Sequence, residues 1–158
     1  MDTNQAAAII RKAMQESNKH FLLTYLDKNG YPHSNYMGFA HLNRNMTVIM
    51  MLRSTSSRIA ILKEQPWIEL VFHTGEYGNI VKFFGKVVIT SSAAAVEKLL
   101  TAYPFLAGYF KRDGSDSVLV QLQTQMIELE HLPPGGLWHE GFQYLIKDGA
   151  LVPTEDAD

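Results

Sequence analysis

The chain has 158 residues, of which 46% are hydrophobic and 19% are charged, as is typical of one folded domain spanning residues 1–158. Its 14 basic and 16 acidic side chains give a formal net charge of −2, which argues against nucleic acid as a partner. The absence of cysteine excludes a disulfide, a thiolate nucleophile and a cysteine-ligated metal. The polar N-terminus and the lack of an apolar run near the roughly 20 residues that cross a bilayer predict a cytoplasmic protein with no membrane partner.

The first third of the chain predicts a helix followed by antiparallel strands. Apolar residues recur at helical spacing over residues 3–17, and Asp2 or Thr3 can cap that helix. Strands follow over residues 21–26, 32–42 and 46–53. Asn29-Gly30 accepts positive φ easily, so a hairpin is predicted between the first two strands.

Six further elements are predicted after residue 53. They are a short helix over 56–65, strands over 67–74 and 79–90 joined by a turn at 75–78, a helix capped by Ser91 or Ser92, a long strand over 117–132, and a C-terminal ribbon over 137–152 that turns at Asp148-Gly149. Polar residues alternate along the long strand, but the alternation slips by one residue at Met126-Ile127, which predicts a β-bulge. Together the elements predict a mainly antiparallel β protein with short helices, closed as a small barrel.

The sequence contains none of the common metal or nucleotide motifs. Its six histidines form no i, i+4 pair, and His139-Glu140 lacks the second histidine of a zinc-protease helix. No glycine-rich dinucleotide loop, phosphate-binding loop of the nucleotide hydrolases or Gly-x-Ser-x-Gly elbow occurs. We therefore expect no bound metal.

A segment of four hydroxyl residues between two arginines, Arg53 to Arg58, follows a strand and opens a helix. Hydroxyls, first-turn amides and guanidiniums together suit an anion, above all a phosphate. A hydroxyl-rich cap beside two surface arginines would have the same residue types. On residue types alone, both interpretations stay open.

The order of these elements resembles that of the pyridoxamine 5′-phosphate oxidase-like flavoproteins, in particular their branch of small general stress proteins. The resemblance runs from about residue 21 to residue 89, and more loosely to residue 132. Residues 32–39, Pro-His-Ser-Asn-Tyr-Met-Gly-Phe, match the pattern of the second strand, and residues 53–59 match the phosphate segment. Arg53 stands where the family usually has a small hydroxyl residue, and Ile59 stands where it usually has lysine, so Arg53 can supply the missing cation.

The resemblance implies an antiparallel split β-barrel that forms a homodimer, with two equivalent sites for flavin mononucleotide (FMN) at the subunit interface. It implies that the FMN phosphate is held by Arg53, Ser54, Ser57 and Arg58, that Leu52 begins this phosphate side, and that Asn35, Tyr36 and Met37 lie along the flavin ring. Tyr36 and Met37 can equally be barrel core. Lys82 and Trp138 are candidates for contributions from the partner subunit.

The implied activity is that of an oxidoreductase acting on an unknown small molecule, with no side chain assigned as a catalytic acid or base. Residues that clamp the substrate phosphate of the full-length oxidase have no match from His131 onward, so oxidation of vitamin B6 is not expected. Three alternatives remain: a haem-binding split barrel with His139 as axial ligand, a flavin-binding stress-response module without catalysis, and a deazaflavin-dependent reductase.

Overall fold

The computed structural model of the protein describes residues 1–75, 78–90, 92–108 and 117–154. The helices within them are α1 (Thr3–Ser17), α2 (Arg58–Glu64) and α3 (Ala93–Ala102), with a 3₁₀ turn at Pro104–Leu106. The strands are β1 (Phe21–Leu26), β2 (Pro32–Met37), β3 (Ala40–Leu42), β4 (Val48–Arg53), β5 (Trp67–His73), β6 (Ile80–Thr90), β7 (Ser117–His131), β8 (Glu140–Lys147) and β9 (Ala150–Pro153). No helix within these ranges is both long and apolar enough to cross a membrane.

The strands form one antiparallel sheet whose two ends meet. Its order is β2-β1-β5-β6-β7-β4-β3, and β8 and β9 extend it from β7 as a side ribbon. Strands β2 and β3 lie at opposite ends of this order, yet only Gly38 and Phe39 separate them in the chain. The sheet must therefore curl until its ends come together. The result is the split barrel with short helices that was expected.

The predicted single strand over residues 32–42 is wrong, because the chain breaks at Gly38-Phe39. Met37, Phe39 and Ala40 are all buried, which no regular strand alternation allows. Phe39 turns into a second, smaller apolar cluster, while the backbone N–H of Ala40 donates to the carbonyl oxygen of Asn18 at 2.9 Å. This break carries the chain from one end of the sheet to the other.

The predicted N-terminal helix is confirmed over the same residues. The Asp2 carboxylate accepts from the backbone N–H of Gln5 at 2.9 Å, and the Gln5 side chain bonds back to the Asp2 N–H. Its apolar stripe, which includes Ala6, Ile10 and Ala13, is fully buried against the barrel core. This packing fixes α1 beside β3 and β5.

The predicted β-bulge is confirmed, although its centre lies slightly earlier than expected. Phe84 of β6 pairs with Met126, and Gly85 pairs with Thr124, so Gln125 of β7 has no partner on β6. A Cβ added to Gly85 would lie 2.1 Å from the carbonyl oxygen of Gln123. The two backbones approach so closely there that only glycine fits.

Several boundaries differ from the predictions for local reasons. Met46 adopts a positive φ of 65° in the turn, so β4 begins at Val48. The C-terminal ribbon begins at Glu140 rather than at residue 137, and it turns at Asp148-Gly149 as predicted. Ser92 caps α3 through the backbone N–H of Ala95, whereas Ser91 and residues 76 and 77 of the predicted 75–78 turn lie outside the described residues.

Candidate functional site

A cleft opens where β2 and β4 end and the chain turns toward α2. Its larger part is a cavity of about 390 Å³, lined by Tyr36, Met37, Gly38, Met51, Leu52, Arg53, Thr55, Ser56 and Arg58. An adjoining cavity of about 160 Å³ shares Gly38, Met51, Leu52 and Arg53 with it and extends to Phe39, Phe105, Leu106 and Ser117. The shared residues make the two cavities one continuous cleft, polar and cationic at one end and aromatic at the other.

The segment between β4 and α2 is a compact turn held by its own backbone. The N–H of Ser56 donates to the carbonyl oxygen of Arg53 at 2.9 Å, and the N–H of Ile59 donates to the carbonyl oxygen of Ser56 at 3.2 Å. The Ser56 hydroxyl accepts from the N–H of Arg58 at 3.3 Å. Both arginines at the ends of this turn line the larger cavity.

The predicted helix over residues 56–65 is shorter in the structure. Helix α2 has seven residues and begins at Arg58, and Ser57 precedes it with helical backbone angles and no side-chain capping bond. A single dipole of this length contributes little positive potential. Any anion affinity of the cleft must therefore come mainly from guanidiniums and hydroxyls.

Arg53 and Arg58 bring two positive charges to the cleft. Arg58 is half-buried, and its Nη1 lies 3.5 Å from the Sδ of Met37, so its side chain reaches across the cleft toward β2. Arg53 is exposed at the end of β4. Among the described residues, neither guanidinium is paired with a carboxylate. Two guanidiniums that no carboxylate of the described residues pairs with make this end of the cleft suited to an anion.

Met37 and Tyr36 have different surroundings, although both line the cleft. Met37 is buried, with 8% of its surface exposed, and it also belongs to the barrel core. Tyr36 is 74% exposed, and its ring meets that of His20 edge-on at a centroid distance of 5.4 Å. The core interpretation therefore holds for Met37 and fails for Tyr36.

The structure brings together half of the predicted site residues. Those that line the cleft are Tyr36, Met37, Leu52, Arg53 and Arg58. Ser54 and Ser57 are exposed in the same turn but do not line it, and the neighbouring Thr55 and Ser56 take their place. Asn35 is half-buried opposite Leu23 of β1 and does not line the cleft either. Sequence reasoning also missed Gly38 and Met51, although Gly38 lies within the segment that carries the resemblance.

Lys82 and Trp138 lie away from the cleft of their own chain. The Nζ of Lys82 lies 2.6 Å from Glu130 and 3.6 Å from Glu128, and the bond to Glu130 is the main cause that raises the pKa of Lys82. Trp138 is 83% exposed in the loop between β7 and β8. A contribution of either residue to a partner's site stays a prediction.

His139, the residue considered for haem, is engaged by the chain itself. Its Nε2 lies 2.9 Å from the carbonyl oxygen of Gly78. Within the ranges that the structure describes, no three His, Asp or Glu side chains are grouped so that they could hold a metal ion.

The family model described as "Pyridoxamine 5′-phosphate oxidase" matches residues 8–129 of the chain. That range includes α1 from Ala8 onward and every described residue that lines the cleft. The sequence matches none of the curated proteins significantly.

Solved structures with low sequence identity share the fold. A protein related to general stress protein 26 from Clostridium acetobutylicum is 15% identical with a TM-score of 0.70, covering 92% of this chain and 97% of its own. A pyridoxamine 5′-phosphate oxidase-related, FMN-binding protein from Nostoc punctiforme is 14% identical with a TM-score of 0.68, covering 98% of both chains. A haem-binding protein from Mycobacterium smegmatis is 16% identical with a TM-score of 0.60, covering 90% of this chain and 58% of its own.

Proposed function

The chain belongs to the pyridoxamine 5′-phosphate oxidase family, and from that premise we propose that it binds FMN in the cleft between β2, β4 and α2. We further propose that it is an oxidoreductase acting on a small molecule other than a B6 vitamer. The observation that carries the proposal is the pair of guanidiniums, Arg53 and Arg58, which border one cavity without a carboxylate partner among the described residues. One solved neighbour is itself described as FMN-binding.

The chemistry of the cleft fits the phosphate of FMN. A phosphate monoester carries nearly two negative charges at neutral pH and presents three acceptor oxygens. Arg53 and Arg58 supply charge-assisted donors, and the hydroxyls of Thr55 and Ser56 add neutral ones. In this arrangement Arg53 replaces the lysine that the family usually has at the position of Ile59.

The rest of the cleft fits a flat, mostly apolar ring. Met37 and Leu52 offer buried apolar surface beside the arginines, and Tyr36 offers an exposed aromatic face. Bound FMN supplies the electron-accepting ring, which a side chain cannot supply. The chain's own residues would hold and orient that ring and exclude water from it. Asn35, Ser54 and Ser57 lie next to lining residues and could reach a ligand through their backbone groups.

We also propose that two copies of the chain form a homodimer with the two sites at their interface. Tyr36 at one edge of the cleft and Trp138 on its loop are both largely exposed, and large exposed aromatic side chains are enriched at interfaces. Lys82 and Trp138 would contribute from the partner subunit. Sedimentation at micromolar concentration should give twice the mass of the chain, and a monomer would contradict this part of the proposal.

Titration of FMN into the flavin-free protein, followed by flavin fluorescence, tests the cofactor. Arg58→Ala should weaken binding by about 1.5–3 kcal/mol, the usual contribution of a charged hydrogen bond, which is about 10- to 100-fold in Kd. Arg44→Ala is the matched control, because Arg44 is an exposed arginine that does not line the cleft. Equal affinities for both variants and the natural protein would contradict the assigned phosphate site.

Mixing the FMN-loaded protein with NADH, NADPH or pyridoxamine 5′-phosphate in a stopped-flow instrument tests the chemistry. The proposal expects reduction of the flavin by a nicotinamide and slow or no reduction by pyridoxamine 5′-phosphate. Flavin that none of the three reduces would favour a binding module without catalysis. A Soret band on addition of haemin, without any binding of FMN, would favour the haem alternative instead.

A further inference from the structure

A second cavity lies on the far side of Phe39, between α1, β3 and the end of α3. Its volume is about 190 Å³. The ring of Tyr103, which lines it, meets the ring of Phe39 edge-on at a centroid distance of 5.0 Å, and Phe39 lines the cleft described above. The two sites are therefore neighbours across one aromatic wall, but they share no lining residue.

The walls of this second cavity are divided by polarity. Met14, Ala40 and Leu42 form an apolar floor. Arg11, Gln15 and Asn18, on successive turns of α1 and at its end, supply polar groups on one side. None of the described residues that line the cavity is acidic. A ligand with an apolar body and a negative head would match this division.

The polar side chains on α1 have N–H donors that no described residue accepts. The Nη2 of Arg11 donates to the carbonyl oxygen of Arg44 at 3.2 Å, which uses one of the five N–H donors of the guanidinium and holds its plane in place. Among the described residues, the side-chain amides of Gln15 and Asn18 have no hydrogen-bond partner. A held guanidinium beside two unused amides is the donor set that binds a planar carboxylate in bidentate fashion.

On the opposite wall, His41 and Tyr103 are hydrogen-bonded to each other, and no acidic side chain of the described residues lines this wall. The Nδ1 of His41 lies 2.5 Å from the hydroxyl of Tyr103, and burial raises the pKa of that hydroxyl, so it stays protonated at neutral pH. The pKa of His41 is lowered, mainly by burial. A hydrogen bond with Asn43 opposes the effect of burial, whereas the positive charge of Lys98 lowers the pKa further. The charge that acts on His41 from outside the lining is thus that of a cation, Lys98, which favours an anionic ligand.

We propose that this cavity is a second ligand site that binds a small organic carboxylate. The carboxylate is held by Arg11 with the amides of Gln15 and Asn18, and the hydrocarbon part lies on Met14 and Leu42. The cavity is smaller than the roughly 300–1,000 Å³ of ordinary drug-sized pockets, which limits the ligand to a short aliphatic or single-ring acid. The site does not depend on flavin binding.

Nuclear magnetic resonance of the full chain tests the proposal with benzoate as the probe and neutral benzamide as its charge-free match. Benzoate should shift the backbone amide signals of residues 40–42 saturably, and benzamide should bind at least about tenfold more weakly because it lacks the charge. Arg11→Gln should weaken benzoate binding by about 10- to 100-fold. Lys12→Gln is the control, because it removes the same charge from the next position of α1 but lies outside the cavity.

Three results would overturn the proposal: no saturable shift at millimolar benzoate, equal affinity for benzoate and benzamide, or equal loss of affinity in Arg11→Gln and Lys12→Gln. Because Arg11 also holds the carbonyl of Arg44, Arg11→Gln could unfold the chain. The benzoate and benzamide comparison on the natural chain decides in that case. FMN titration of the same samples keeps the outcome separate from that of the proposed function.

Discussion

Replacing Gly85 by alanine places a methyl group where β6 and β7 approach most closely. The added Cβ would lie 2.1 Å from the carbonyl oxygen of Gln123, 2.9 Å from its carbonyl carbon and 3.1 Å from the Cα of Thr124. All three atoms belong to the backbone of β7, so no side chain can rotate away. The two strands must separate at the bulge, where Gln125 already lacks a partner on β6.

The expected cost combines three effects. Overpacking of a tight site costs about 1–3 kcal/mol, and each ladder hydrogen bond lost to a buried group costs about 1–3 kcal/mol more. Alanine also lowers the conformational entropy of the unfolded chain, and this effect offsets about 0.4–1 kcal/mol of the destabilisation. We therefore expect Gly85→Ala to lower the free energy of unfolding by about 3 kcal/mol, a large share of the roughly 5–15 kcal/mol typical of a domain.

Urea denaturation followed by circular dichroism measures this loss. With a slope of about 2 kcal/mol per molar urea, the midpoint should fall by about 1.5 M. Gly141→Ala is the matched control, since Gly141 also lies in a strand and its Cβ would meet no atom within 4 Å. If the two variants shift the midpoint by the same small amount, the close approach of β6 and β7 at the bulge is refuted.

Two further predictions concern ion pairs on the outside of the barrel. The bond from His33 holds the pKa of Asp27 below its ordinary value, so the charged carboxylate stabilises the fold above that value. Asp27→Asn should lower the urea midpoint near pH 7, and the difference should vanish as pH falls through the native pKa of Asp27; a difference independent of pH would contradict this. Lys82→Met leaves Glu130 and the half-buried Glu69, whose pKa burial raises, without their cation. It should cost about 1 kcal/mol at pH 7 and less near pH 4, where ordinary glutamates are partly protonated, and an equal cost at both pH values would count against the assigned pairing.

Elements specified by local residues were predictable from the sequence. The stripe of Ala6, Ile10 and Ala13 predicts α1, and the capping side chain of Asp2 predicts its start. The hairpin between β1 and β2 is predicted by Asn29-Gly30, and Gly30 indeed has a positive φ of 83°. The slip in alternation along β7 predicts the bulge, because a strand that keeps one face buried can change phase only by inserting a residue.

Features that depend on distant contacts were not predictable. The break at Gly38-Phe39 exists because Phe39 packs on Leu99, Leu106 and Leu119, which come from three elements far along the chain. The sequence alone gives no sign of this packing. The close approach that requires Gly85 is likewise visible only once β6 and β7 are paired in register.

At the candidate site, too, the sequence predicts the segment but not which of its side chains line the cleft. Hydroxyls and arginines between residues 53 and 58 identify the segment, but the backbone bonds of the turn decide which of them face the cleft. Ser56 lines it, whereas Ser57, which already has helical backbone angles, does not. The residue types of the motif alone therefore do not predict which of two adjacent serines lines the cleft.

The central claim is that the two cleft arginines hold the phosphate of FMN. The most direct test compares the affinity of the flavin-free protein for FMN with its affinity for riboflavin, which has the same ring but no phosphate. If Arg53 and Arg58 each make a charged hydrogen bond worth about 1.5–3 kcal/mol, FMN should bind at least about 100-fold more tightly, and Arg53→Ala with Arg58→Ala should remove most of that preference. Equal affinities for FMN and riboflavin, or a preference that survives the loss of both arginines, would contradict the account.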